Sequence, residues 1–195
     1  DGGIGRHLEK MGAPFGQPEW SALSLIQEPE FVLRAHKDFI DSGADVITTN
    51  SYAIVPFHIG KDRFEKEGKD LLIRAGNIAK EAVKLYKREI KIAASIPPVL
   101  GSYKPDVFNS QKAIPVLEIF KNNLIQYCDL ILAETLSSID EIKTIQRVFG
   151  DCKIPFWISL TIEDEYYNIP KLRSGEKIVT ALRKIDFNKI SSVLF

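Results

Sequence analysis

Apolar and polar residues alternate along the chain in segments that predict helices and short strands in turn. A first clear helix is predicted to begin at Pro29 and to end at Gly43, because apolar residues between them repeat at helical spacing. A β-branched run at 44–50 follows and predicts a strand. The longest helical pattern has an apolar face between Leu71 and Tyr86. Its opposite face is rich in Lys and Glu, as expected for a solvated surface.

The same alternation continues to the end of the chain. Ser138 and Glu141 have the spacing of a capping box, which predicts the start of a helix. A polar loop is predicted after the fourth strand. The remaining predicted strands are 90–96, 129–134, 154–161 and 190–195, and the remaining predicted helices are 114–126, 138–149 and 174–185.

The predicted strands are rich in Val, Ile and Leu without polar alternation, which indicates burial on both faces and parallel pairing through helical crossovers. Two architectures fit this pattern, an open doubly wound sheet and a closed (β/α)8 barrel. A Rossmann-type sheet needs a glycine-rich turn between its first strand and helix. Gly2, Gly3 and Gly5 follow no strand, and no helix of suitable spacing is predicted there. The barrel is therefore favoured.

The length of the chain bears on how much of a barrel it contains. A complete (β/α)8 barrel takes about 250 residues, and this chain has 195. We therefore expect residues 1–195 to form a single α/β TIM-barrel domain that is incomplete at both ends, with about strands 2 to 6 and their helices. Open barrel edges would also favour association into a homo-oligomer.

Composition and charge narrow the possible partners. Lys+Arg and Asp+Glu both number 26, so the chain lacks the basic excess that nucleic acid or an anionic membrane surface would favour. No apolar run approaches the roughly 20 residues needed to span a bilayer. The two cysteines, Cys128 and Cys152, are too few for a disulfide scaffold. We therefore expect a cytoplasmic protein that acts on small molecules.

Polar side chains collect where the predicted strands end, which is where a barrel carries its functional groups. Asn50 ends the first predicted strand, and Glu134 and Thr135 end the third. A Thr or Asn at a strand end usually caps the following turn. Glu134 differs, because an unpaired carboxylate at the end of a buried strand is costly and should have a specific donor. Asp1 stands beside two glycines, which permit either a tight turn or close approach of a ligand.

Taken together, these segments resemble the homocysteine S-methyltransferase domain family. The family includes betaine-, S-methylmethionine- and cobalamin-dependent enzymes. Seven segments match in the order of the family and span the whole chain, although Glu19 stands where the family more often has Leu. The segments are 1–5 (DGGIG), 18–22 (PEWSA), 36–52 (HKDFIDSGADVITTNSY), 95–106 (SIPPVLGSYKPD), 133–135 (AET), 155–160 (PFWISL) and 172–176 (LRSGE).

The resemblance implies a (β/α)8 barrel enzyme that transfers a methyl group to the sulfur of homocysteine and gives methionine. Members of the family bind Zn²⁺ through three cysteines, and the metal lowers the pKa of the substrate thiol. In family terms, Asp1 and Glu134 would hold the amino group of homocysteine. Asn50 and Thr135 would be nearby polar contacts. The implied partners are therefore homocysteine and a methyl donor.

The sequence departs from the family pattern at the metal. The zinc cysteines of the family follow the sixth strand, and none of the three is present in this chain. Cys128 and Cys152 each precede a predicted strand, which places them at the opposite end of the barrel, and the three histidines have no metal-ligand spacing. We therefore expect this chain alone to be inactive. Arg6 and His7 stand where the family usually has Gly-Thr, so Arg6 could alter the choice of substrate, although a solvated Arg also fits.

Two further interpretations remain open. The chain could be a truncated or degenerate homologue that binds a small ligand or a partner without catalysis. It could also be another barrel enzyme, such as an aldolase that acts on a small anionic substrate. A Schiff-base aldolase needs a Lys at the carboxyl end of a strand, whereas Lys91 is near the start of its predicted strand. The sequence does not identify the methyl donor.

Overall fold

The computed structural model describes residues 1–165 and 169–195, and it contains one parallel sheet of five strands. The predicted polar loop after the fourth strand includes residues 166–168, which lie outside the described residues. The strands are β1 (Val46–Thr48), β2 (Lys91–Ile96), β3 (Leu130–Leu136), β4 (Phe156–Leu160) and β5 (Ser192–Leu194).

The strands pair in chain order, each parallel to the next. A doubly wound sheet instead reverses its order at a switch point. Sequential order with a helical crossover between neighbouring strands is the arrangement found in (β/α) barrels. The described strands therefore favour the barrel-type alternative over the open Rossmann-type sheet.

Helices precede and connect the strands, and the neighbouring helices Pro29–Asp41, Lys61–Lys84, Ser110–Leu124 and Ile139–Phe149 pack side by side. The eight α-helices of the described residues are α1 (Ile4–Lys10), α2 (Ser21–Gln27), α3 (Pro29–Asp41), α4 (Pro56–Ile59), α5 (Lys61–Lys84), α6 (Ser110–Leu124), α7 (Ile139–Phe149) and α8 (Ile178–Leu182). Short 3₁₀ turns occur at Pro105–Val107 and Ile125–Tyr127.

The hydrophobic core lies between the sheet and these helices. Phe120 of α6, Phe149 of α7 and Phe156 of β4 are fully buried there, and the rings of Phe149 and Phe156 lie 6.1 Å apart. Burying an aromatic side chain of this kind stabilises the fold by about 1.5–3 kcal/mol relative to leaving it in water. This packing fixes the helices against the sheet and so fixes the positions of the strand ends.

The capping box that begins α7 is confirmed. The Ser138 hydroxyl accepts a hydrogen bond from the Glu141 amide at 3.2 Å, and the Glu141 carboxylate accepts one from the Ser138 amide at 2.9 Å. A second backbone amide, that of Ser137, also donates to this carboxylate. Burial nevertheless raises the pKa of Glu141 to about 7, with these hydrogen bonds opposing the shift.

Three helices, α1, α6 and α8, differ in their extent from the sequence-based expectation. A helix does begin in the glycine-rich opening, at Ile4, although no side chain caps it. The helix α6 begins four residues before the predicted position because the Asn109 side chain accepts from the Lys112 amide. The helix α8 is shorter than predicted, since the Ser174 amide donates to the Ser137 carbonyl and the Glu176 carboxylate accepts from the Ile139 amide.

Within the described residues, no helix combines the length and the apolar character needed to cross a bilayer.

His36 lies inside α3, as expected, with its side chain fully buried and neither ring nitrogen hydrogen bonded. Burial lowers the pKa of His36 from 6.5 to about 4, because the charged imidazolium would lose its hydration.

This buried histidine should make the fold sensitive to acid. His36 is neutral in the folded protein but takes up a proton in the unfolded chain below pH 6.5, so stability present above pH 6.5 is lost as the pH falls towards 4. The full loss is about 3 kcal/mol. We expect His36→Leu to remove this part of the difference between the free energies of unfolding at pH 7 and pH 4.5, measured by urea denaturation.

A matched control is His7→Leu, because His7 is partly exposed and lies outside the core. This variant should keep the acid sensitivity that His36 causes. If His36→Leu and the wild type lost the same stability between the two pH values, His36 would not be the origin of the effect.

Candidate active site at the carboxyl ends of the strands

A cavity of about 620 Å³ opens at the carboxyl ends of β1, β2 and β3. Its volume lies in the range found for small-molecule sites. The parallel sheet brings the polar ends of these strands to one edge, and the N-terminal segment with α1 and α2 forms the facing wall. The lining residues are Gly2, Gly3, Ile4, Gly5, Arg6, Phe15, Trp20, Ser21, Thr48, Thr49, Tyr52, Ala53, His58, Ser95, Ser102, Tyr103, Glu134 and Thr135.

Glu134, at the carboxyl end of β3, lines the cavity with a partly buried side chain. Its carboxylate accepts a short hydrogen bond from the hydroxyl of Ser95 in β2. The expectation that this carboxylate has a specific donor is thereby confirmed. Burial raises the pKa of Glu134, and the hydrogen bond from Ser95 acts in the opposite direction. A cationic group entering the cavity would favour the ionised form of this carboxylate.

The backbone at Glu134 and Thr135 departs from regular strand geometry. The register between β3 and β4 shifts between Ala133 and Leu136, which marks a bulge or irregularity. Thr135 has a φ of 66°, an unusual conformation for a β-branched residue. Bulges of this kind redirect side chains and occur often beside active sites.

Strained backbone is concentrated around this cavity. In the described part of the chain, the non-glycine residues with positive φ are Trp20 (50°), Tyr103 (62°) and Thr135. All three line the cavity. Each such conformation costs about 1–3 kcal/mol, and such residues cluster at functional sites where the surrounding fold holds them. The strain supports the assignment of this cavity as the functional site.

The other predicted contact residues, Asp1 and Asn50, do not line the cavity. The Asp1 carboxylate accepts from the Thr48 amide at 2.7 Å and from the Thr48 hydroxyl at 2.9 Å, which ties the N-terminus to the end of β1. The buried Asn50 side chain donates to the Ser21 carbonyl at 3.0 Å, and its Oδ1 atom has no hydrogen-bond partner. Each residue is hydrogen bonded to one that lines the cavity, Thr48 or Ser21, and the contact of Asp1 and Asn50 with substrate stays a prediction.

Aromatic side chains form the apolar part of the cavity, and sequence reasoning did not select them as site residues. The rings of Phe15 and Trp20 lie 5.7 Å apart, edge to face. The Tyr52 hydroxyl donates to the Ser102 hydroxyl at 2.8 Å, and burial raises the pKa of Tyr52. Trp20 and Tyr52 belong to segments that carry the family resemblance, whereas nothing in the sequence distinguished Phe15.

Two basic side chains also line the cavity. Arg6 is 80% exposed and forms an ion pair with Glu9 at 2.9 Å, so it lies at the solvated mouth. His58 hydrogen bonds through Nδ1 to the Pro18 carbonyl at 2.9 Å. Since a carbonyl can only accept, Nδ1 carries the proton. Burial lowers the pKa of His58, which favours the neutral ring.

The described residues do not form a metal site. Across 1–165 and 169–195, no group of three or more His, Cys, Asp or Glu side chains could hold a metal ion. Cys128 and Cys152 are unpaired and lie before β3 and β4, at the end of the sheet opposite the cavity, as expected. Burial raises the pKa of the Cys128 thiol to about 12. A thiol in this environment is a poor metal ligand because zinc binds the thiolate.

Sequence comparisons relate the chain to plant methyltransferases. Homocysteine S-methyltransferase 1 of Brassica oleracea var. italica is 29% identical over 209 residues, covering 94% of this chain and 64% of that protein. Homocysteine S-methyltransferase 2 of Arabidopsis thaliana is 29% identical over 194 residues, covering 84% of this chain and 58% of that protein. The chain therefore spans less than two thirds of the length of these relatives.

The fold and a family model agree with these relatives. The metallated form of the homocysteine methyltransferase MmuM from Escherichia coli matches with a TM-score of 0.85 and 23% identity, covering 99% of this chain and 72% of that chain. At this identity the likeness establishes the fold. The model of the homocysteine S-methyltransferase family matches residues 1–195. The chain therefore belongs to the homocysteine S-methyltransferase family.

Proposed function

We propose that this chain carries the amino-acid-binding half of an active site that transfers a methyl group to the sulfur of homocysteine, giving methionine. The observation that carries the proposal is Glu134, a partly buried carboxylate that faces the cavity at the end of β3. Residues 1–195 match the homocysteine S-methyltransferase family. The ammonium group of homocysteine has the charge that this carboxylate would bind. We also infer that the five strands are part of a (β/α)8 barrel.

The cavity suits homocysteine in charge and in polarity. The Glu134 carboxylate would accept hydrogen bonds from the α-ammonium group, and the pairing would offset the cost of desolvating both charges. Phe15 and Trp20 would contact the methylene groups and the sulfur, which is favourable for a polarisable atom beside aromatic rings. Asp1, Asn50 and Thr135 remain predicted substrate contacts, with Thr135 the one of the three that lines the cavity.

The reaction forms a bond between the homocysteine sulfur and the methyl carbon. The bond from that carbon to the donor breaks, and the donor leaves with the electron pair. The thiol must lose its proton, because a thiolate is a far better nucleophile than a neutral thiol. Zinc, which the resemblance implies, would lower the pKa of this thiol when bound. The described residues of this chain do not provide its ligands.

The competing interpretations differ in what they require of the cavity. A Schiff-base aldolase needs a lysine there, whereas Lys91 lies at the first position of β2, is exposed, and pairs with Glu89. That pairing raises the pKa of Lys91, which disfavours the neutral amine that forms a Schiff base. A degenerate homologue would bind homocysteine without transferring a methyl group. Small molecules stay the expected partners, and the cytoplasm stays the expected compartment.

A methyl-transfer assay tests the proposed activity. The purified full-length protein is supplied with zinc, homocysteine and, in separate reactions, S-methylmethionine, betaine or methylcobalamin, and methionine is quantified by mass spectrometry. We expect methionine with at least one donor. Homocysteine binding without methionine from any of the three would instead favour the degenerate homologue.

A second prediction concerns Glu134. Glu134→Gln keeps the shape of the side chain but removes the charge, so we expect homocysteine to bind about 10- to 100-fold more weakly by calorimetry. Glu163→Gln is the matched control, because Glu163 lines a neighbouring cavity of the same edge. An unchanged dissociation constant for Glu134→Gln would show that Glu134 does not hold the substrate.

A third prediction concerns the metal. We expect the 195-residue chain, dialysed against zinc and then against zinc-free buffer, to retain substoichiometric zinc by mass spectrometry, because its described residues lack a ligand cluster. The double variant Cys128→Ser/Cys152→Ser should retain the same amount. One equivalent of zinc in the wild-type chain that disappears in the double variant would contradict the expectation that these cysteines do not bind the metal.

A further inference from the structure

Three hydroxyl side chains connect the ends of β1 and β2 beneath the cavity. The hydroxyls of Thr49 and Ser51 lie 2.8 Å apart. The Thr49 hydroxyl accepts a hydrogen bond from the Ser95 amide at 3.1 Å, and the Ser51 hydroxyl donates to the Ser95 carbonyl at 2.7 Å. Both backbone groups of Ser95 are therefore held by side chains that follow β1. We call Thr49, Ser51 and Ser95 the hydroxyl clamp.

One member of the hydroxyl clamp, Ser95, also contacts the Glu134 carboxylate of the candidate site. Ser95 is 2% exposed, and its hydroxyl donates to Oε1 of Glu134 on the neighbouring strand. Among residues 1–165 and 169–195, Ser95 is the hydrogen-bond donor found for this carboxylate. No donor to the other oxygen, Oε2, is found within those same residues, and both residues line the cavity.

We propose that Ser95 is a positioning residue that orients the Glu134 carboxylate towards the cavity, and that Thr49 and Ser51 fix Ser95 in the position required. The role of the carboxylate in holding the amino group of homocysteine rests on the proposed function. The contact between Ser95 and Glu134 does not depend on any ligand.

The physical reason lies in the surroundings of Glu134. A glutamate has three side-chain torsions, and a carboxylate without a donor in this partly buried site would rotate towards solvent or become protonated. A hydroxyl that donates to one oxygen restricts the side chain and stabilises its charge. Thr49 and Ser51 restrict Ser95 in turn. The second oxygen of Glu134 would therefore meet an incoming ammonium group in a fixed orientation.

An alternative is that Ser95 is a buried serine whose contact with Glu134 contributes nothing to the charge or the orientation of the carboxylate. In that case its removal would lower stability but would leave the ionisation of Glu134 unchanged. The two interpretations are therefore separated by the titration of a single carboxyl group, measured in the folded protein without ligand.

The test is a pH titration of ligand-free protein labelled with ¹³C at glutamate carboxyl carbons, followed by NMR. The signal of Glu134 is assigned from its absence in Glu134→Gln. Burial raises the pKa of Glu134 and the Ser95 hydroxyl opposes that shift, so Ser95→Ala should move the midpoint upwards by about one pH unit. Ser102→Ala is the matched control, because Ser102 also lines the cavity but hydrogen bonds to Tyr52. Its Glu134 midpoint should match the wild type.

A second variant covers the case in which Ser95→Ala does not fold. Ser95→Cys keeps the size of the side chain but is a weaker donor, so it should shift the midpoint in the same direction by a smaller amount. An unchanged Glu134 midpoint in a folded Ser95 variant would overturn the proposal. An upward shift in Ser95→Ala with none in Ser102→Ala supports it.

Homocysteine binding then separates this inference from the proposed function. If Glu134 holds the ammonium group, the change in ionisation alone should lower the affinity of Ser95→Ala for homocysteine about threefold at a pH midway between the two Glu134 midpoints. Loss of the orienting hydrogen bond should keep the affinity below that of the wild type at higher pH, where the carboxylate is ionised in both proteins. Absence of homocysteine binding to the full-length wild type would refute the proposed function, while the titration would still decide the role of Ser95.

Discussion

The parallel, in-order pairing of the five strands is the constraint on which the candidate site depends. Because β1, β2 and β3 run in the same direction, their carboxyl ends meet at one edge. The central strands β2 and β3 are buried along most of their length, and a shift in register would draw polar groups at the strand ends into the core, which is strongly disfavoured. Thr49 and Ser95 are 46 residues apart in sequence and Ser95 and Glu134 are 39 apart, yet hydrogen bonds link them. The register of the sheet brings them together.

The polar groups at this edge are costly to bury, and their arrangement shows how the fold accommodates them. Most of the hydrogen-bonding capacity of the buried hydroxyls is used within the protein. Glu134 lines the cavity, next to a strained backbone at Thr135. A sequence selected for stability alone would favour apolar residues and regular strand geometry there. The retained carboxylate and the strain are therefore better explained by ligand binding than by folding.

Much of the fold followed from the sequence, because hydrophobic periodicity reports which residues face the core. The parallel α/β architecture was predicted in this way. The capping box followed from the spacing of Ser138 and Glu141. The placement of Cys128 and Cys152 away from the cavity followed from their positions before predicted strands. Glu134 was identified as a candidate site residue because an unpaired carboxylate at the end of a buried apolar strand is energetically unfavourable.

Other features could not be predicted, since they depend on contacts distant in sequence. Positive φ at Trp20, Tyr103 and Thr135 contradicts the local preference of those residue types, so tertiary packing imposes it. The cavity position of Phe15 depends on how the N-terminal segment packs against the sheet. The hydrogen bond from the Thr48 amide to the Asp1 carboxylate was also not predicted. A single acidic residue beside glycines does not reveal which donors will surround it.

The proposed function requires that Glu134 hold the amino group of homocysteine in the cavity at the carboxyl ends of the strands. A crystal structure of the protein with L-homocysteine would show whether this contact is made. We expect the α-ammonium nitrogen within hydrogen-bond distance of a Glu134 carboxylate oxygen, with the methylene groups against Phe15 and Trp20. Homocysteine bound elsewhere, or in this cavity with its ammonium group turned away from Glu134, would refute the proposed role of Glu134.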